Sequence, residues 1–316
     1  MRGLNRQVGN ILVWLALVTM PWWMNALGGY TELGTQAVVL ALAAMGLNFL
    51  LGFTGVLSFG HAAYFGLGAY GVGMTIRYLV PSTPLGILIG VAVGTLAAAV
   101  IGALIIRLRG VYFAMVTIAF AQVFYFIAFR WNKVTGGDDG LISWTRQPLD
   151  LGFARIDILH NATAFYYLVL ALFALSAGIM ALLLRSPFGR TLLAIRENER
   201  RARFLGIPVE RHMWLSFVIS CLFASLGGTL YALLNNFVDP RALHWSMSGN
   251  FVIMAVLGGM RSFWGPLIGA VIFVILQDYV SSMTENWQSY LGLFFVLVVL
   301  FFPRGVLGVL RRRATQ

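Results

Sequence analysis

The chain has 316 residues, of which 59% are hydrophobic and only 10% are charged, and its formal net charge is +11. A soluble domain carries about 25% charged residues, and a soluble fold of this composition could not cover its apolar surface with polar groups. The composition therefore excludes a water-soluble globular protein and indicates a chain that uses lipid as its solvent.

Ten apolar segments follow one another along the chain, and a membrane-spanning helix needs about 20 such residues. They lie near 8–27, 34–52, 59–79, 85–106, 111–129, 164–184, 213–235, 248–259, 264–280 and 287–302. Two of them are short for a full crossing. The sequence therefore predicts an all-α, polytopic integral membrane protein with about ten transmembrane helices, some of them broken or short.

The N-terminal segment and the distribution of charge predict the orientation. The first segment is longer than a signal-peptide core and lacks a small-residue cleavage site, so we interpret it as a retained helix, with a signal peptide as the alternative. If the N-terminus is cytoplasmic, most arginines, including those of 185–211 and 304–313, fall on the inside. This satisfies the positive-inside rule. It predicts that both termini are cytoplasmic, and it explains the net charge without nucleic acid.

Two loops are long. Residues 130–163 are predicted to be a periplasmic loop and contain the turn-rich run 135–140, and residues 185–212 are predicted to be an arginine-rich cytoplasmic loop. The remaining loops are short, so the sequence predicts a single transmembrane domain over 1–316 with no nucleotide-binding domain. Five crossings on each side of residue 160 would form inverted repeats. A short match between 58–60 and 262–265 fits either such a repeat or chance.

Glycines in the apolar segments indicate close packing. Residues 66–71 match the pattern G-x-G-x-x-G, but that motif binds a dinucleotide only between a strand and a helix, and here it lies inside a predicted span. Gly86, Gly90 and Gly94 recur every four residues and lie on one helix face, which lets a neighbouring backbone approach. The lone Cys221 excludes an intramolecular disulfide and a cysteine metal site, and it fits a small buried residue.

Two glycine-rich stretches, 52–61 and 248–266, interrupt the apolar pattern. Freed backbone at membrane depth must be satisfied by protein or by a water-filled cavity, and transporters place substrate sites at such breaks. An ordinary inside loop explains the first stretch equally well. In the second stretch, Arg261 could contribute only to the orientation of the chain in the membrane. The candidate substrate-path residues are Asn48, Thr54, Ser58, His61, Thr117 and Gln122. Each could instead hydrogen-bond a neighbouring helix, which for His61 is the favoured interpretation.

Acidic residues are missing from the middle of every predicted helix. Proton- and sodium-coupled carriers usually need intramembrane ionisable groups, so this argues against secondary transport. Paired carboxylates, histidine clusters and H-E-x-x-H signatures are also missing, which argues against a membrane enzyme and against a metal or cofactor on this chain. A stand-alone channel or facilitator stays an alternative.

The inner loop is predicted to contain a short amphipathic helix. Ser186 can cap it, Pro187 fits its first turn, and Gly206 with Pro208 ends it. Apolar residues recur within it at helical spacing, and charged residues follow. Such a helix could lie on anionic lipid. It could also dock a cytoplasmic partner, which a channel does not require.

At this loop the chain resembles the permeases of branched-chain amino acid ABC importers, and among them the LivM-type subunits. The motifs that carry the resemblance are the stretches 47–55, 57–62, 107–114, 135–141, 186–190, 194–199, 205–207, 256–259, 264–266 and 302–305. Each motif alone is weak, and together they extend along most of the chain.

The resemblance implies a complex of this chain with a LivH-type second permease, two ABC ATPases that hold ATP and magnesium, and a periplasmic solute-binding protein. It also implies that the inner loop docks into an ATPase. The implied coupling residues are Phe188, Gly189, Arg190, Arg196, Glu197, Glu199, Ala202 and Gly206. Arg201 stands where the family usually has a small residue. Related permeases carry leucine-type amino acids, urea, amides and other small solutes, so the resemblance leaves the substrate open.

Overall fold

The computed structural model describes residues 2–26, 28–150, 155–260, 262–284, 286–301 and 305–306. Its helices are α1 (Arg2–Val18), α2 (Met20–Ala26), α3 (Thr31–Phe53), α4 (His61–Met74), α5 (Thr83–Ile105), α6 (Val111–Arg130), α7 (Asn132–Thr135), α8 (Ala162–Arg185), α9 (Pro187–Glu197), α10 (Glu199–Phe204), α11 (Val209–Asn235), α12 (Trp245–Gly258), α13 (Gly265–Met283) and α14 (Trp287–Phe301). A π-helical turn, Thr75–Leu79, extends α4. Arg261, Phe302–Arg304 and the three arginines at 311–313, which the sequence analysis used, lie outside the described residues.

The helical, membrane-spanning fold is confirmed. Among the described residues, six helices are long and apolar enough to cross a membrane: α3, α5, α6, α8, α11 and α13. The number of crossings is therefore only approximately ten, because α12 and α14 are short and α4 needs its π-turn to reach 19 residues. The first predicted helix, 8–27, is wrong in detail, since the chain bends at Thr19 and forms α1 and α2 instead.

Helices α3 and α11 form the centre of the bundle. Their apolar windows are 83% and 67% buried, whereas those of α5, α6, α8 and α13 are at most 33% buried. Helix α5 packs against α4 and α11, and α13 packs against α12 and α3. The contacts of α5 with α4 and α11 therefore correspond to those of α13 with α12 and α3, so exchanging α3, α4 and α5 for α11, α12 and α13 leaves the set of neighbouring helices the same. This symmetry fits two repeats of three helices, α3–α5 and α11–α13, and their inverted relation stays a prediction.

The short sequence match taken as a hint of repetition does not mark equivalent positions. Residues 58–60 lie between α3 and α4, whereas 262–265 lie between α12 and α13. The counterpart of the first break is the segment 236–244 between α11 and α12.

The glycine face predicted on α5 is confirmed as a packing surface. Gly86, Gly90 and Gly94 are all buried. A methyl group added at Gly90 would lie 2.7 Å from the Gly68 carbonyl oxygen, and one added at Gly71 would lie 2.7 Å from the Gly90 Cα atom. The backbones of α4 and α5 therefore touch without side chains between them, as small residues allow.

Replacing Gly90 with leucine should destabilise the protein strongly, because the new side chain would have to push α4 away from α5. Overpacking of this kind costs about 1–3 kcal/mol. The expected result is a lower Tm and less monodisperse protein in detergent. Gly178→Leu on α8 is the matched control, since nothing lies within 4 Å of a methyl group added there. Equal stability of the two variants would contradict the packing.

The loop between α6 and α8 is tied to the helix bundle. Backbone groups of Leu141 and Val238 exchange two hydrogen bonds of 2.8 and 3.3 Å, and this bridge joins the loop to the segment before α12. The Arg146 guanidinium donates to the carbonyls of Leu233 and Leu159 at 3.2 and 3.3 Å. A two-stranded hairpin, Leu149–Asp150 with Arg155–Ile156, lies in the same loop.

Candidate functional site

The break between α3 and α4 is filled by hydrogen-bonded polar side chains. His61 Nε2 lies 2.6 Å from Ser220 Oγ on α11, and His61 Nδ1 lies 3.2 Å from Ser58 Oγ. Thr54 Oγ1 lies 2.7 Å from Ser216 Oγ, also on α11. All five side chains are buried. The polar side chains at the break are therefore paired with one another within the protein.

Thr117 joins the same break from α6. Its hydroxyl donates to the Ala114 carbonyl and accepts the backbone N–H of Phe59 at 3.2 Å. The structure thus brings together four of the six candidate path residues, and each has partners within the chain. This is the arrangement of residues that hold a break in shape. Their part in a substrate path stays a prediction.

The first turn of α4 is capped from α12, because the backbone N–H of Ala62 donates to Ser248 Oγ at 2.7 Å. On the next turn, Gly66 lies against Leu243. The segment 236–244 therefore runs back along the bundle from the end of α11, and α12 starts beside the first turns of α4. The break between α3 and α4 meets the segment before α12 at this point.

Asn48 connects α3 to the chain between α12 and α13. Its Nδ2 atom donates to the Ser262 carbonyl at 3.2 Å, and its Oδ1 atom is buried without a hydrogen-bond partner among the described residues. Gly52 on the same helix lies against the Met260 carbonyl. The two interrupted stretches found in the sequence are therefore neighbours. The sixth candidate, Gln122, lies apart from them, beside His244.

The predicted amphipathic helix of the inner loop is two helices, so a single helix was wrong. Ser186 caps α9, as expected, by accepting the backbone N–H of Gly189. Asn198 then leaves the helical conformation, and its side chain caps α10 by accepting the N–H of Arg201 at 2.9 Å. Gly206 ends α10 with a φ of +80°, a conformation that favours glycine.

The coupling candidates divide into buried and exposed residues. Gly189 and Ala202 are buried, and Phe188 stacks on the His212 ring at 5.8 Å. Through these three residues, α9 and α10 pack against the helix bundle. The exposed members are Arg190, Glu197 and Gly206. Nothing lies within 4 Å of a methyl group added at Gly206, so the surface there is open.

Glu199 belongs to a cluster of four charged residues. Arg109, from the α5–α6 loop, donates to Glu199 at 2.9 Å and lies 3.7 Å from Glu210. Arg203 lies 2.9 Å from Glu199 and 2.7 Å from Glu210. The hydrogen bond with Glu199, together with Glu210, raises the pKa of the Arg203 guanidinium above its ordinary value. The cluster fastens α10 to the α5–α6 loop and to the start of α11.

Arg196 connects this loop to the break. Its guanidinium donates to the Gly52 carbonyl near the end of α3. Its aliphatic part lies against Gly55, where a methyl group would come within 2.9 Å of the Arg196 Cγ atom. A cavity of about 680 Å³ lies between the break, the α5–α6 loop and the α9–α10 junction. Arg196 thus crosses the space between the loop helices and the break.

Two exposed apolar residues at the end of α10 were missed by the sequence analysis. The side chain of Phe204 is 91% exposed and that of Leu205 is 74% exposed. They follow a strongly charged helix and precede Gly206. The sequence contained one sign of this exposed surface. Phe204 and Leu205 are apolar, yet they do not belong to the set of apolar residues at helical spacing that forms the buried face of the loop.

A metal centre is not found: the described residues contain no group of three or more histidine, cysteine, aspartate or glutamate side chains that could hold an ion. Cys221 is buried and unpaired. The features found in the described residues are hydrogen-bonding groups, ion pairs and exposed apolar side chains.

Comparison with known proteins decides the family. The sequence profile of a family described as "Branched-chain amino acid transport system / permease component" matches residues 29–303. The chain belongs to this permease family. No solved structure is significantly similar to it.

Curated relatives cover nearly the whole permease. It is 30% identical to the high-affinity branched-chain amino acid transport system permease protein LivM of Escherichia coli K12, over 95% of this chain and 75% of that protein. The LivM protein of Salmonella typhimurium is 28% identical with the same coverage. LivH of Escherichia coli K12 is 27% identical over 87% of this chain and 92% of that protein. The resemblance stated from the sequence motifs is thereby confirmed.

Proposed function

We propose that this permease is the membrane-spanning subunit of an ATP-driven importer for branched-chain amino acids. The observation that carries the proposal is the α9–α10 segment, which rests on the break between α3 and α4 through Arg196. In a permease, a loop helix in this position can pass movement from a cytoplasmic partner to the transmembrane core. The family and its LivM and LivH relatives support the substrate class.

The complex that we propose has a LivH-type second permease, two ABC ATPases that bind ATP and magnesium, and a periplasmic solute-binding protein. Residues 1–316 form one permease domain in the bacterial inner membrane, with both termini in the cytoplasm. The loop 130–163 then faces the periplasm, and 185–212 faces the ATPases. The positive charge of the second loop supports this orientation.

The proposal is tested by purification and transport. An affinity-tagged chain is extracted from its native host in mild detergent, and the co-purifying proteins are identified. The purified complex is then placed in liposomes, and uptake of labelled leucine is measured with and without ATP. We expect two ATPases, a second permease and ATP-dependent uptake. Recovery of this chain alone with ATP-independent uptake would favour a channel. If urea or acetamide competes for uptake and leucine does not, the substrate is a urea- or amide-type solute and not a branched-chain amino acid.

Reversing the charge of Glu199 should reduce this uptake about tenfold, since Glu199→Lys would place three cations together and release α10 from the α5–α6 loop. The double variant Arg109→Glu with Glu199→Lys restores the pairing and should recover part of the activity. Because such exposed pairs contribute only about 0–1 kcal/mol each, Tm should change little. Normal uptake by Glu199→Lys would contradict a role for the cluster.

A further inference from the structure

Polar and aromatic side chains lie together on the surface of the permease at the start of α12. We name this group the α12 patch; it consists of Gln122, Tyr125, His244, Trp245, Ser246 and Asn250. His244 Nδ1 lies 2.8 Å from Ser246 Oγ, and the His244 ring lies 5.1 Å from the Tyr125 ring. Trp245 is 41% exposed and Ser246 is exposed.

The depth of the patch follows from its neighbours on α11. That helix rises about 40 Å over its length, with Ser220 about 17 Å and Gly228 about 28 Å from its start. Ser248 caps α4 next to the His61–Ser220 pair, and Leu243 lies beside Gly66, whose neighbour Phe65 lies against Gly228. The start of α12 therefore lies between these two levels. The patch is therefore near the middle of the membrane.

Polar groups exposed at this depth do not face lipid, because hydrocarbon offers them no hydrogen bonds. Gln122 Oε1 is buried without a partner among the described residues, and its Nε2 atom lies 3.5 Å from His244 Nε2. Asn250 donates only to the Met247 sulfur, at 3.9 Å, among the hydrogen bonds of the described residues. The surface beside these atoms must therefore hold water, a solute or protein.

The geometry favours a solute. The patch lies near mid-membrane, where the segment before α12 meets the break between α3 and α4, and transporters bind substrates at such interrupted helices. One turn along the same face, nothing lies within 4 Å of a methyl group added at Gly249. The rings of Tyr125 and Trp245 offer apolar and cation-binding faces, and the amide, imidazole and hydroxyl groups beside them can bond a carboxylate and an ammonium group.

We propose that the α12 patch binds the transported amino acid on its way through the membrane. The aliphatic side chain of the solute lies against Trp245 and Tyr125. Its charged groups bond Gln122, His244 and Ser246. This assignment rests on the proposed importer function and adds the residues that contact the solute.

The first test measures whether the patch faces a water-filled path. Cys221 is fully buried, so the native chain gives the unlabelled background. Ser246→Cys is treated in the assembled complex with a charged, water-soluble methanethiosulfonate, and Leu96→Cys on the exposed apolar face of α5 is the matched control. We expect Ser246→Cys to react, and its rate to change several-fold when the ATPases are trapped with ATP and vanadate. No reaction in either state, or a rate that trapping leaves unchanged, would overturn the proposal.

The second test measures transport. Trp245→Ala should reduce leucine uptake about tenfold at saturating binding protein, since it removes an apolar contact with the solute. Trp245→Phe should retain most of the uptake rate, and the ATPases should still co-purify with both variants. Full uptake by Trp245→Ala would overturn the proposal. Failure of the importer function itself would appear differently, as wild-type complex without ATP-dependent leucine uptake, and the labelling of Ser246→Cys would still decide whether the patch faces water.

Discussion

Replacing Phe204 and Leu205 together with serine should abolish ATPase binding while leaving the permease folded. The two side chains are 91% and 74% exposed, which makes them the most exposed large apolar side chains of the loop 185–212. Burying an apolar side chain of this size in an interface contributes about 1.5–3 kcal/mol. Loss of both should therefore weaken ATPase binding about 100-fold or more.

The measurement is the amount of ATPase that co-purifies with the tagged permease, followed by titration of purified ATPase onto permease in nanodiscs. Ile142→Ser is the matched control, because Ile142 is also an exposed apolar residue but lies in the loop at the opposite end of the bundle. Unchanged Tm in both variants would show that folding is intact. Wild-type affinity of the double variant would place the docking surface elsewhere.

Replacing Arg196 with methionine should uncouple ATP hydrolysis from transport without releasing the ATPases. Methionine keeps the aliphatic contact with Gly55 and removes the hydrogen bond from the guanidinium to the Gly52 carbonyl. A hydrogen bond from a charged group contributes about 1.5–3 kcal/mol. The fraction of complexes in which residue 196 connects the loop helices to the break should therefore fall about 10- to 100-fold. Leucine uptake should fall by the same factor.

Arg200→Met is the control for this experiment, since Arg200 is exposed on α10. The readout is the number of leucine molecules imported per ATP hydrolysed in liposomes. We expect this ratio to fall in Arg196→Met and to stay unchanged in Arg200→Met. A lower rate with an unchanged ratio would mean that Arg196 acts on assembly or folding and not on the link between the loop and the break.

The sequence predicts the break after α3 correctly because its signal is local. Glycines and small polar residues at 52–61 weaken the helix, and α3 ends at Phe53 while α4 starts at His61. The partners of these polar residues were beyond reach. Ser220, which hydrogen-bonds His61, lies 159 positions away in the sequence, and a single sequence gives the polarity of a residue but not the helix that it meets.

The division of the inner loop into α9 and α10 shows a different limit. Apolar residues recur at helical spacing up to Ile195, and the charged stretch that follows contains no glycine or proline before Gly206, so the pattern favours one helix. Whether an asparagine stays in a helix or caps the next one depends on competing local hydrogen bonds of similar strength. Here the cap on Arg201 prevails, and the salt bridges of Glu199 stabilise α10 in its new direction.

The segment 236–244 falls between the predicted helices 213–235 and 248–259, so the sequence indicates no more than a connection there. Its return into the bundle depends on the fit of Leu243 beside Gly66 and on the hydroxyl of Ser248. These contacts join residues that are far apart in the chain. The α12 patch could therefore not be found from hydropathy, although Gln122 was noticed as a polar residue on an apolar helix.

The bridge between Leu141 and Val238 has a consequence for how this family can diversify. Surface loops usually accept insertions and deletions. Here one loop residue is paired to the strand-like segment that leads into α12, and Gly140 lies directly against the Val238 carbonyl. A single inserted residue between 136 and 141 would have to fit into the tight turns before Leu141, where Gly140 lies against Val238, or it would break the pairing of Leu141 with Val238. The length of this stretch should therefore stay constant among functional relatives even where its residues change, which makes it a fixed point for aligning distant members.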